Sequence, residues 1–253
     1  MLGNRSFGLI ARNALRRENY EAVWRMRKVC ERPAEMAWRY LSGRGEYPYR
    51  PALRTPLGPV APRVDTHDDL VTVVEVFCRL DYAAPADLRA VVDLGSNVGL
   101  SALYFLTRNP RVRCRLFEPV PRNVERLREN LAGYEDRYEL TEAAVWDRAG
   151  TVSFGVEPTG RYGGIGTVAP ETIEVACLEI NAVLESDERI DVLKVDTEGA
   201  EVATVAAIRP ELLDRIGLVY LETMDRPVLH PDRFEPSFSA DTLRLENRQL
   251  RPA

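Results

Sequence analysis

The sequence predicts an α/β fold: a mostly parallel twisted sheet with helices on both faces, preceded by a helical N-terminal extension. Three observations predict it. Four short apolar runs, Val91–Leu94, Cys114–Phe117, Ile190–Val195 and Leu218–Leu221, have the length of buried strands. Helical spacing follows the first two, through Val98, Ala102, Phe105 and Leu106 and then Val124, Leu127 and Leu131. Strand and helix in alternation give parallel pairing through right-handed crossovers. Finally, an acid lies at or near the end of each run: Asp93 before Gly95, then Glu118, Asp196 and Glu222. Open α/β sheets bind ligands beyond that carboxyl edge.

The elements follow in order. Residues 1–45 read as mainly helical and Arg-rich, either a basic surface that meets an acidic substrate, an anionic membrane or a partner, or a solvated helix face packed on the main domain or on a second copy of the chain. Residues 46–63 carry five prolines and read as an extended linker or, around Thr55-Pro56-Leu57-Gly58-Pro59, a tight hairpin turn. A helical pattern returns over 68–80. The central unit is then strand 91–94, helix 98–108, strand 114–118, helix 121–132 and strand 138–145. Thr151–Phe154 and Ile173–Leu178 read as further strands, and Gly160–Gly166 as a glycine-rich surface loop. A helix begins near Glu201. Thr242–Leu245 alternates like an edge strand, and the short tail predicts a reduced terminal hairpin. The domain division expected is 1–63 for the extension and 64–253 for the ligand-binding domain.

Composition narrows the function. The 253 residues carry a net charge of −5, which gives no nucleic-acid footprint. No apolar run approaches membrane-spanning length, and the N-terminus lacks the apolar stretch of a secretory signal, so no integral membrane contact and a cytoplasmic location are expected. Cys30, Cys78, Cys114 and Cys177 are far apart in sequence and form no Cys-x-x-Cys, so reduced buried thiols are expected. Only Lys28 and Lys194 are lysines; this Arg bias suggests a bacterial coding sequence of high GC content.

The stretch Val91–Gly99 organises the rest. A strand, a turn at Gly95-Ser96-Asn97 and a helix aim backbone N–H groups at one spot, and Gly95 and Gly99 leave room for a ligand. Glu118 follows Gly95 by 23 residues, near the spacing that sets an acid on a ribose. Its carboxylate can accept from both ribose hydroxyls. A dinucleotide fits less well. The pattern is Gly-x-Asn-x-Gly, which lacks the glycine that admits a pyrophosphate, and Asp93 lies inside the strand. S-adenosylmethionine (SAM), with a ribose and adenine, no phosphate and a positive charge, fits better.

Four blocks, VVDLGSNVGLSALYF, LFEPVPRNVERLRENL, AAVWDRAGTVSF and IDVLKVDTEGAEVATV, resemble in sequence and order the FkbM family of SAM-dependent methyltransferases. The resemblance implies a Rossmann-like class I methyltransferase fold over 64–253 and SAM as methyl donor. The donor-side candidates are Asp93, Gly95, Ser96, Asn97, Gly99, Glu118 and Pro119. The resemblance adds Ala144, beside the adenine, and Tyr82, on the segment that closes over the cofactor. Methyl transfer is an in-line displacement, and a hydroxyl acceptor needs a base or a metal. Asp196 is the first candidate base, Glu198 the second and His230 the third. Asp196, Glu198 and Glu222 are hard oxygen donors suited to Mg²⁺, but no ligand spacing demands it and no metal is assigned. The expectation is methylation of a small-molecule hydroxyl, on a sugar or secondary metabolite. The alternatives are an NAD(P)-dependent oxidoreductase and a non-catalytic nucleotide-binding or scaffold protein.

Overall fold

The computed structural model describes residues 17–157, 163–165, 169–197, 199–223, 226–239 and 241–250, and the side chains of 17–20 and 163 fall outside that description. The chain divides into two compact units between Asp81 and Tyr82.

In the first unit, helix α1 (Arg17–Val29) is followed by α2 (Pro33–Ser42). Proline starts α2 where its missing N–H costs nothing, and Gly43, at φ 66°, ends it with its N–H on the Arg39 carbonyl. Strands β1 (Leu53–Thr55) and β2 (Gly58–Val60) pair with Thr55 opposite Gly58, so Pro56-Leu57 is a two-residue hairpin turn. Of the two readings of 46–63, the hairpin is the one formed. Helix α3 (His67–Val73) begins at a capping box in which Thr66 and Asp69 exchange backbone-to-side-chain hydrogen bonds of 3.0 and 3.1 Å. It continues as a π-helical turn over Val74–Arg79. Arg25 of α1 donates to the Arg79 carbonyl at 3.0 Å. Residues 64–81, which the sequence grouped with the ligand-binding domain, are thereby part of the first unit. All four cysteines are buried free thiols, and the fold brings the Cys30 and Cys78 side chains into hydrogen-bond contact.

The second unit is built on a seven-stranded sheet. Its strands are β3 (Ala90–Leu94), β4 (Arg113–Phe117), β5 (Tyr138–Thr141), β10 (Ile190–Val195), β11 (Ile216–Glu222), β12 (Phe234–Ser239) and β13 (Thr242–Asn247), in the spatial order β12-β13-β11-β10-β3-β4-β5. The first five named are parallel, and β12 and β13 form the antiparallel end. The terminal hairpin is therefore complete, with six residues in each strand, and not reduced as the length of the tail suggested.

Helices α4 (Leu100–Leu106) and α5 (Pro121–Asn130) join β3 to β4 and β4 to β5. Helices α6 (Ile180–Leu184), α7 (Glu201–Ala206) and α8 (Pro210–Leu213) form one apolar core with Val92, Leu94, Leu193, Val195, Val219 and Leu221. Because successive strand residues point to opposite faces, Asp93 and Lys194 point away from that core, and Ser101 of α4 reaches Asp93 from the other side.

The expected strand 138–145 is two strands. The chain turns at Glu142-Ala143, with the Ala143 N–H on the Thr141 carbonyl, and Ala144 enters a second sheet. That sheet contains β6 (Ala144–Trp146), β7 (Gly150–Val156), β8 (Gly163–Ile165) and β9 (Glu171–Glu179) in the order β6-β9-β7-β8. Of the glycine-rich stretch, 163–165 is β8, while 160–162 and 166 lie outside the described residues.

Candidate active site at the carboxyl edge of the sheet

The turn after β3 is held by its own backbone. Gly95 and Ser96 both donate to the Phe117 carbonyl at 3.0 Å, Gly99 donates to the Ser96 carbonyl at 2.8 Å, and the Ser96 hydroxyl caps the Asp93 carbonyl at 2.9 Å. Asn97, at φ 48°, turns its N–H onto Glu118 Oε2 at 2.8 Å. The N–H groups of Gly95, Ser96, Asn97 and Gly99, expected to point at a ligand, are thus used within the protein. Gly95 is required here. Its φ is +75°, and a Cβ would lie 1.7 Å from the Asp196 carbonyl oxygen of the neighbouring strand end. Gly99, at φ +81°, would meet Leu127 of α5 at 3.0 Å.

Glu118 lies at the end of β4 and is only 4% exposed. Its Oε1 accepts from the Val120 N–H at 3.0 Å and from Asn123 Nδ2 at 3.2 Å, and its Oε2 from Asn97. Burial pushes its carboxyl up to about 7, against the pull of these donors. A carboxylate offers about four acceptor positions, so three donors leave one, on Oε2. Pro119 follows, buried. Ala144 lies with Val120, Phe154, Val156, Val175 and Cys177 in an apolar cluster beside it.

Asp93 is fully buried. Its Oδ2 accepts from Ser101 at 2.6 Å and its Oδ1 is 3.1 Å from Lys194 Nζ, a charge contact more than an aligned hydrogen bond. Lys194 stands directly opposite Asp93 in the β3–β10 ladder, and Tyr220 opposite Lys194 in the β10–β11 ladder, so the three side chains form a row on one face. The ammonium also donates to the Gly95 carbonyl at 3.0 Å and pairs with Asp196 Oδ2 at 3.2 Å. Burial alone would push this lysine down, but Asp196 and Asp93 outweigh it and hold the ammonium above the ordinary lysine range. Tyr82 closes the row: its ring lies 5.5 Å from Lys194 Nζ and 5.6 Å, edge-on, from Tyr220.

Asp196 follows β10, with 24% of its side chain exposed. Beyond it, Glu201 accepts the N–H groups of Thr197 and Gly199 at 2.9 Å and fixes the turn between them. Glu198, the second candidate base, lies outside the described residues. The Thr197 hydroxyl is buried and has no hydrogen-bond partner among the described residues.

His230 is not brought to this edge, contrary to its candidacy as a base. After β11 the chain recrosses the sheet so that β12 can pair antiparallel with β13. His230 lies just before β12, near the edge where β11 begins, with Nε2 3.0 Å from the Val205 carbonyl. Among the described residues no group of three or more His, Cys, Asp and Glu side chains is placed to hold a metal ion. Glu222 is exposed at the end of β11.

Sequence reading missed Asn123, Ser101, Thr197 and Tyr220, and gave Lys194 no role. Parity held one clue: Lys194 and Asp196 are two apart on a strand and share a face.

These residues fit SAM. Glu118 keeps one acceptor position, Thr197 holds a buried hydroxyl in want of a partner, Val120 and Ala144 supply apolar surface, and Asp196 adds negative charge on the other side of Gly95. The strand order, with two parallel strands on each side of β3, which leads into the glycine turn, and an antiparallel pair at the far end, together with this edge, defines a Rossmann-like class I methyltransferase. The profile of the methyltransferase FkbM domain matches residues 93–235, more than half of the chain, and the chain belongs to that family. It is 28% identical over 156 residues to the 2-O-methyltransferase NoeI of Sinorhizobium fredii, covering 54% of this chain and 63% of that protein. It is 25% identical over 179 residues to the methyltransferase sdnD of Sordaria araneosa, covering 56% of this chain and 68% of that one. The chain thus spans less than two thirds of the length of NoeI. A solved FkbM methyltransferase from Methylobacillus flagellatus overlays 71% of this chain and 54% of its own, at 14% identity and a TM-score of 0.46.

Proposed function

We propose that the protein transfers the methyl group of SAM to a hydroxyl oxygen of a small molecule, a sugar or secondary metabolite. One observation carries the reading: two carboxylates of opposite character flank Gly95. Glu118 is buried, hydrogen-bonded and left with one acceptor position, which suits a ribose hydroxyl. Asp196 is partly exposed and held from one side by Lys194, which suits a mobile acceptor.

SAM supplies an activated methyl whose leaving group is a neutral thioether. The protein's part is alignment and proton removal. Asp196 accepts the hydroxyl proton as the acceptor oxygen bonds to the methyl carbon, and its position beside Gly95 keeps that oxygen on the donor side. Glu198 is a second base of the same turn. The printed name of NoeI supports oxygen as the acceptor atom. A pyrophosphate-bearing cofactor is disfavoured, because the N–H groups of Gly95, Ser96 and Asn97 already have partners.

Isothermal titration with S-adenosylhomocysteine (SAH), the demethylated product, tests the reading. Micromolar binding, about −8 kcal/mol, is expected. Glu118→Ala should abolish it. A wild-type protein that binds NADH and not SAH would overturn the proposal.

A further inference from the structure

Lys194 has no assigned part in this chemistry, yet it touches three separate groups of the site. It is 2% exposed, and its ammonium donates to one backbone carbonyl and pairs with two carboxylates that belong to different parts of the edge. Asp93 Oδ1 at 3.1 Å lies inside β3, the Gly95 carbonyl at 3.0 Å is the first residue of the donor turn, and Asp196 Oδ2 at 3.2 Å is the candidate base. The backbone ties the same two strand ends together, through the Asp196 N–H on the Leu94 carbonyl at 3.0 Å.

We infer that Lys194 is a positioning residue that couples the donor turn to the base. Its ammonium holds the Gly95 carbonyl and one oxygen of Asp196 at the same time, so the turn and the rotamer of Asp196 are set by one group. The other oxygen of Asp196 is left to meet the acceptor. Asp93 has the supporting role: without its charge, a buried ammonium between a carbonyl and one carboxylate would be poorly compensated. The charged and titratable groups around Lys194 are Asp93, Asp196, Tyr82 and the more distant Glu118, with Tyr220 next in the row. The inference rests on the methyl-donor reading above.

The composition of the chain makes the test simple. With only Lys28 and Lys194 present, protein labelled with ¹³C at lysine Cε gives two signals, and Lys28 is the internal reference. In the wild type, Lys194 should stay protonated above the ordinary lysine value of about 10.4. In Asp196→Asn it should titrate at least about one pH unit lower, since burial then outweighs the remaining carboxylate. SAH should shift the Lys194 signal and leave Lys28 unmoved.

Binding supplies the functional half. Lys194→Met is made together with Asp93→Asn, so that no buried carboxylate is stranded, and folding is checked by the thermal transition. This double variant should bind SAH about tenfold more weakly than Asp93→Asn alone. An unmoved Lys194 titration in Asp196→Asn, or full SAH affinity in the folded double variant, would overturn the inference and leave the donor reading standing. A wild-type chain that binds no SAH would end both.

Discussion

Single residues at this edge do opposite things with similar chemistry. Asp93 and Asp196 both touch Lys194, but one is fully buried and the other partly exposed, so only Asp196 is accessible to an acceptor. Asp196→Asn should leave SAH affinity within about threefold of wild type, a small effect on the scale of binding energies, and slow methyl transfer by two orders of magnitude or about that, the usual worth of a general base. Full turnover in that variant would remove Asp196 from the mechanism. Glu118 gives a pH signature. Its carboxyl is pushed up to about 7, so the form that accepts a ribose hydroxyl is scarce at pH 6 and dominant at pH 8. SAH affinity should rise roughly tenfold over that interval, in proportion to the competent fraction. Titrations of Glu118→Gln should be weaker and flat in pH. Gly95→Ala combines a positive φ with a Cβ set against the Asp196 carbonyl. It should lower stability by at least about 2 kcal/mol in urea unfolding.

Elements decide which residues meet. The row Asp93–Lys194–Tyr220 exists because three parallel strands are in register, and a shift of one residue in β10 would turn Lys194 to the apolar face. The turn after β10 owes its shape to Glu201, which serves two backbone N–H groups from the first turn of α7. Glu201→Ala should cost about 1–3 kcal/mol by stranding those donors, and substrate turnover should fall more than SAH affinity, because Thr197 directly follows Asp196. The terminal hairpin covers β11, whose Leu218, Val219, Tyr220 and Leu221 are buried. A chain ended after residue 223 would present that strand as an open edge and should be recovered aggregated, as size-exclusion chromatography would show.

Across the whole molecule, the burial of Glu118 bears on stability. Its folded-state value lies above that of an exposed glutamate. The native state therefore holds a proton that the unfolded chain has lost, and this contribution to stability declines as pH rises from about 4.5 to about 7. The difference in urea midpoint between wild type and Glu118→Gln should accordingly change across that window and level off above it; a constant difference would mean that Glu118 is not buried as described.

The boundary between what sequence and structure determined follows the range of the forces involved. Strand runs, helix spacing, the glycine turn and the spacing from Gly95 to Glu118 are local patterns, and the sequence alone determined the α/β class, the order of the central elements and the edge at which Glu118 and Asp196 lie. Asp196 was legible because it ends a strand. Only the tertiary structure decided what depends on contacts between distant segments. The N–H groups of the turn are taken up by Phe117 and Glu118 from the next strand. Asp93 faces Lys194 from a strand a hundred residues away. His230 is carried to the opposite edge by the return of the chain toward β12. In each case a polar group had several partners compatible with its sequence neighbourhood, and the pairing of buried charges and donors across the packed sheet selected one.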